Sequence, residues 1–172
     1  MDTITPAAGE NKTVLWIAGG CLAVLVCIAA AAFLGFGGLV WLGSQTADEA
    51  TAALDVPATA QAGEPYTFRI TVTNTSSEQI ELYGVDISMN FLSGIAVEST
   101  DPVYTETSQF DSLGGGETYL TYYFHQAVAP GESLTVTFTG TAVTAGDFSG
   151  AMDVCINSDY NCITNVVRTV IR

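Results

Sequence analysis

Residues 13–43, TVLWIAGGCLAVLVCIAAAAFLGFGGLVWLG, contain no charged side chain. A bilayer core is crossed by about 20 predominantly apolar helical residues, so this run is long enough to span one. It is also longer than a small soluble domain needs in a core helix. Trp16 and Trp41 lie near its two ends, roughly 37 Å apart along a helix rising about 1.5 Å per residue. That spacing suits one tryptophan at each membrane interface. A removable secretory signal has a basic start and an apolar core of about 7–15 residues. Here residues 1–12, MDTITPAAGENK, offer one lysine, and the apolar run is about twice too long. The tetrad AGGC at 18–21 is similar to a lipoprotein cleavage box, but it lacks the usual leucine and a long apolar stretch still follows. The run is therefore expected to remain as a single transmembrane anchor.

Within that run Gly19, Ala23, Cys27, Ala31 and Gly35 recur every fourth residue. Small residues at this spacing form a ridge along which two membrane helices can approach closely. The general richness of membrane spans in glycine and alanine accounts for the pattern equally well. Lys12 is the only basic residue near either end, and the other flank, SQTADEATAALD, has none. Basic residues favour the cytoplasmic side, which puts the N-terminus inside and the remainder of the chain outside. The expected organisation is a cytoplasmic tail (1–12), a transmembrane helix (13–43), a linker (44–51) and an extracytoplasmic domain (52–172).

The formal net charge is −14, from 18 acidic and 4 basic residues, and beyond Lys12 the only cations are Arg69, Arg168 and Arg172. No basic patch exists to neutralise phosphates, which argues against nucleic acid and against docking on anionic lipid. The membrane contact expected is the helix alone. A repulsive, solubilising surface is the simplest reading of the acidity.

After residue 52 the pattern is that of strands. In EPYTFRITVTNTS, Tyr66, Phe68, Ile70 and Val72 alternate with Thr67, Arg69, Thr71 and Thr73; Leu134, Val136 and Phe138 alternate with threonines in SLTVTFTGT. Period two with one apolar face denotes half-buried strands. VDISMNF puts Val85, Ile87, Met89 and Phe91 on one side, and GDFSGAMDVCI and CITNVVRTVI supply the last two strands. Gly, Pro, Asn and Asp punctuate the gaps, in QAGEP, NTSSEQ, LGGGE and APGE. Eight or nine short strands and no convincing helical period predict an all-β sandwich.

The stretch VPATAQAGEPYTFRITVTNTSSEQI resembles the opening of bacterial and archaeal extracytoplasmic immunoglobulin-like domains of the CARDB or DUF11-like kind. The matching positions are the Gly63-Glu64 turn, the strand Phe68 to Val72, and Asn74. VAPGESLTVTFTGTAVTAGDFSG is similar to their later turn and strand, here Pro130, Gly131 and Glu132. The resemblance covers most of 56–171. It implies an immunoglobulin-like sandwich and an adhesive, spacer or assembly role. Its motifs are turn-and-strand grammar, which speak to fold and hardly to function.

Cys155 and Cys162 stand at the end of one expected strand and the start of the next. Zinc needs about four Cys or His ligands, and His125 is the only histidine. A calcium loop from Asn157, Asp159 and Asn161 lacks regular oxygen spacing and a closing bidentate glutamate. A disulfide across a hairpin is the expected state, which fits an extracytoplasmic domain; free thiols are the alternative. No nucleophile–histidine pair, phosphate-binding loop or metal-ligand cluster is legible, and no cofactor or enzymatic activity is expected. The absence of lysine from 44–172 rules out a Lys–Asn isopeptide crosslink. Asn74-Thr75-Ser76 is a possible glycosylation acceptor.

In YLTYYFHQ, Leu120, Tyr122 and Phe124 are expected to face the core, leaving Tyr119, Tyr123 and His125 outward as a candidate partner-contact stripe. The expectation is a membrane-anchored, non-catalytic binding or structural module that meets a protein partner or a second copy of itself. The alternative is a pilin-like filament subunit with its helix packed in the filament core, though no basic-glycine processing site precedes the helix.

Overall fold

The computed structural model describes residues 47–114 and 116–172. The tail, the 13–43 run, Lys12, Trp16, Trp41 and the ridge of Gly19, Ala23, Cys27, Ala31 and Gly35 lie outside the described residues. Among the described residues no helix is long and apolar enough to cross a membrane.

The elements are β1 (Ala50–Asp55), β2 (Thr59–Ala60), β3 (Pro65–Asn74), β4 (Ile80–Ser88), α1 (Met89–Leu92), β5 (Ile95–Asp101), β6 (Glu106–Asp111), β7 (Thr118–Val128), β8 (Ser133–Ala142), β9 (Gly146–Ile156) and β10 (Cys162–Ile171). The first strand starts inside the expected linker. The strands form a four-stranded sheet ordered β1-β3-β8-β5 and a six-stranded sheet ordered β2-β10-β9-β4-β7-β6. The order β1-β3-β8-β5 against β10-β9-β4 is the arrangement of an immunoglobulin-like sandwich. The β6–β7 hairpin widens the second sheet.

Alternation builds the core. Tyr66, Phe68, Ile70 and Val72 of β3 and Val136 and Phe138 of β8 meet Leu82, Val85 and Ile87 of β4, Tyr122 and Phe124 of β7, and Met152, Val154 and Ile156 of β9. Phe68 and Phe138 stack with ring centroids 4.6 Å apart. Tyr122 and Phe124 abut Phe138 edge-on from the other sheet, at 5.3 and 6.1 Å.

One stretch departs from the expected pattern. β4 ends at Ser88, and Met89 begins a helical turn with its side chain exposed, whereas Phe91 is fully buried. The Ser88 hydroxyl accepts from the Asn90 N–H, and such a serine cap stabilises a turn over a continued strand.

Asn74 joins the two motif stretches that carried the family resemblance. Its N–H donates to the Glu132 carbonyl and its carbonyl accepts from Gly131 N, both at 3.0 Å. Gly131 has φ +75°, which a turn can demand of glycine at little cost. The Asn74 amide nitrogen donates to the carbonyls of Glu78 and Val128, and its oxygen accepts from the N–H and hydroxyl of Ser76. The side chain is interior, so Asn74 is a structural clasp and is closed to glycosylation as folded. Asn74→Ala leaves several buried groups unpaired, and a loss of about 2 kcal/mol is expected. Chemical denaturation checks this; a loss under about 0.5 kcal/mol, the scale of an ordinary surface change, would contradict the clasp.

Candidate functional site

The outer face of the six-stranded sheet carries a transverse polar row. Thr164 of β10 stands opposite Asp153 of β9, Asp153 opposite Asp86 of β4, Asp86 opposite Thr121 of β7, and Thr121 opposite Ser108 of β6. Period two dictates this. Val85, Ile87, Met152 and Val154 point into the core, so the residues between them on β4 and β9 must point out. Over the Asp86, Thr121 and Ser108 part of the row lies a cleft of about 260 Å³, lined by those residues with Phe110, Tyr123, Asp159 and Tyr160. Its floor is β4 and β7, one wall is β6, and the other is the loop between β9 and β10.

Although it sits on the outer face, Asp86 is only 7% exposed. Thr121 Oγ1 donates to Asp86 Oδ1 at 2.7 Å. Asp86 Oδ2 lies 3.6 Å from Cys155 Sγ, a disulfide sulfur with no proton to donate, so this is a packing contact. Burial pushes the Asp86 carboxyl up to about 6, against the lowering effect of the Thr121 hydroxyl and with smaller upward contributions from Asp153 and Asp159. Burial also raises Asp153, although Thr164 bonds to it, and Asp153 Oδ1 is buried without a hydrogen-bond partner.

The expected disulfide is present between Cys155 and Cys162, with an S–S distance of 2.07 Å and Cα atoms 4.0 Å apart. The two residues are direct partners across β9 and β10. The bridge closes the loop that brings Asp159 and Tyr160 over the cleft. Asn157 holds the loop against β4: in the left-handed region at φ +62°, it accepts from Glu81 N–H through Oδ1 and donates to Glu49 Oε2, both at 2.8 Å. Its amide is thus engaged as a latch. Asp86, Cys155 and Cys162 offer ligand atoms within 4.8 Å of one another. With both sulfurs joined in the disulfide, that group presents one carboxylate and not a metal centre.

The proposed contact stripe divides. Tyr119 faces away from the core as expected but is 9% exposed. Phe110 stacks over it at 5.3 Å, and its hydroxyl donates to Glu117 Oε2 at 2.9 Å. Burial first, and then that bond, push its phenol up to about 12. Tyr119 is therefore interior to the β6–β7 hairpin and presents no free contact face. Glu117 also takes the Ser88 hydroxyl. Tyr123 is half-buried in the cleft and His125 is exposed. His125 has φ +51° at a bulge where two residues of β7 oppose one of β4. Its Nδ1 lies 2.6 Å from Glu81 Oε1.

Tyr83, absent from the expected stripe, completes the ring cluster. Its ring meets His125 at 4.8 Å and Tyr123 at 5.6 Å, both edge-on. The nearby acidic Asp159 raises its phenol. The signal was Gly84 beside it, because glycine inside a strand marks a bulge or a close approach; a Cβ at Gly84 would stand 3.3 Å from Thr121 and from the Tyr122 carbonyl. Asp86 and Asp153 also lie outside the residues that the sequence marks as candidates. Their signal was a carboxylate at an alternate position in each of two strands, VDIS and MDVC.

No family model matches the chain. No curated protein matches it. Among solved structures it is similar to the CARDB domain of a Pyrococcus furiosus protein in complex with di-metal ions, at 9% identity and a TM-score of 0.40, covering 76% of this chain and 96% of that one. It is also similar to an ASH / PapD-like domain of human CEP192, at 10% identity and 0.41, covering 73% and 87%. A FixG-related protein of Vibrio parahaemolyticus aligns at 13% identity and 0.38, covering 73% and 98%. Likenesses this distant carry no statement about activity, ligand or partner.

Proposed function

We propose that the chain is a single-pass membrane-anchored module that presents its immunoglobulin-like sandwich outside the cytoplasm and binds a protein partner without catalysis. The observation that carries this reading is the cleft on the outer face of the six-stranded sheet. Ring faces and carboxylates converge there, and a disulfide-closed loop forms one wall. Tyr160, 89% exposed, stands at its rim, and Phe110 is exposed on the opposite wall. Large rings held at the edge of a rigid sheet are the residue type on which protein contacts concentrate. The apolar 13–43 run supports the anchor, and the cross-strand disulfide supports an oxidising compartment.

The test uses the full-length chain purified in neutral detergent. Tyr160→Ala should release a specific co-purifying protein, with binding weakened by about 1–2 kcal/mol or more and folding stability changed by no more than about 0.5 kcal/mol. Thr71→Ala, on the outer face of the other sheet, should retain it. Equal capture by both variants would discard this face as the recognition surface. Protease added to intact cells should remove the domain if it lies outside; protection until lysis would reverse the orientation.

A further inference from the structure

We infer that the cleft is a receptor for a guanidinium group, the side chain of an arginine on a partner protein. The inference deepens the binding role proposed above and rests on it. It starts from a charge imbalance. Asp86 lines the cleft together with Asp159 of the disulfide-closed loop, and Asp153 is the direct cross-strand partner of Asp86 at the edge of that lining. Asp86 is more than nine-tenths buried, and its Oδ2 faces only a disulfide sulfur. Asp153 Oδ1 is buried and unpartnered. Buried carboxylate oxygens normally find donors or a countercharge, because an unmet one has lost its water without compensation.

The described residues supply no such countercharge. Arg69 pairs with Asp55, Arg168 pairs with Asp147, and His125 pairs with Glu81; Arg172 follows β10, bonds through its N–H to the Ala60 carbonyl beside β2, and is not among the residues that line the cleft. Lysine is absent from residue 13 onward. The floor and loop of the cleft thus present negative charge and acceptors, and the missing partner must come from outside or be a proton.

The walls select among cations. Phe110, Tyr123 and Tyr160 line the same space as Asp86 and Asp159. A small hard metal ion gains nothing from ring faces and seeks six or more oxygens. A guanidinium is planar, weakly hydrated and rich in donors; it stacks on aromatic rings while forking onto carboxylates. The cleft volume of about 260 Å³ accommodates the end of one such side chain. Its position on the open face of a sheet leaves room for the backbone that carries it.

Titration calorimetry of the full-length chain in neutral detergent tests this with Nα-acetyl-arginine methylamide as the probe. The capped arginine should bind saturably, and its neutral isostere, the corresponding citrulline derivative, should bind at least tenfold more weakly. Asp86→Asn and, separately, the loop variant Asp159→Asn should each weaken the capped arginine at least tenfold, with far-UV ellipticity unchanged. Arg168→Gln, remote from the cleft lining, should leave binding intact. Equal binding of citrulline, or arginine binding that survives both Asp variants, would overturn the inference. So would binding of free arginine with no binding of the capped form, which would point to a small metabolite. Calcium bound through Asp86 in place of the arginine probe would overturn it in favour of a metal site. Loss of partner capture on Tyr160→Ala without arginine binding would leave the binding role standing and remove only its guanidinium chemistry. Arginine binding with no partner capture by either chain would do the reverse.

Discussion

Asp86→Asn is expected to stabilise the folded domain by about 3 kcal/mol at pH 8 and to change it little at pH 3. The Asp86 carboxyl titrates at about 6 in the folded chain against an ordinary value of 3.8. Between those values the folded state holds more protons than the unfolded one. The contribution of Asp86 is therefore greatest below the unfolded value and is lost as pH rises through about 6. Asparagine resembles the protonated acid, accepts the Thr121 hydroxyl in the same place, and never ionises. Urea unfolding of the full-length chain in neutral detergent at pH 3, 5 and 8 reads the effect. Asp153 is shifted in the same direction, so part of the pH dependence should persist in the variant. A variant less stable than the native chain at pH 8 would mean that the ionised Asp86 has a compensating partner in the fold. A buried carboxylate that lowers stability at neutral pH is the trade expected where a site serves binding.

Phe138→Ala is expected to act in the opposite direction and at every pH, costing about 3–5 kcal/mol. Phe138 is fully buried. It stacks on Phe68 within its own sheet and meets Tyr122 and Phe124 edge-on from the other. Its removal leaves a cavity at the contact between the two sheets, and rings held on two rigid sheets have little freedom to collapse into it. The same urea measurement should show a lower midpoint with little change in slope. A loss under about 1.5 kcal/mol would mean that the sandwich closes around the gap more readily than a close-packed core allows.

The alternation of Tyr66, Phe68, Ile70 and Val72 with polar residues was enough to define β3 and its buried face, because side chains on a pleated strand must alternate. The same rule placed Tyr122 and Phe124 in the core and Tyr119 and Tyr123 on the other face. The glycines and the Pro-Gly-Glu turn marked chain reversals, since few other residues adopt those backbone angles cheaply. Cys155 and Cys162, on either side of a short turn, could be paired from spacing and the elimination of other roles.

The strand order was not legible, and that order made the site. Asp86 and Asp153 are far apart in sequence and became neighbours only because β4 pairs with β9. Tyr119 lost its exposure because the β6–β7 hairpin laid Phe110 across it. Nothing local to YLTYYFHQ encodes that cover. His125 and Tyr83 met through a bulge that puts one extra residue in β7, which a strict period-two reading passes over. By itself the sequence determined which residues turn inward, where the chain reverses and which cysteines can join, because each of these follows from backbone geometry over a few residues. Only the tertiary structure decided which outward residues share a cleft, which are covered and which carboxylates lose their water, because those depend on pairings between distant strands.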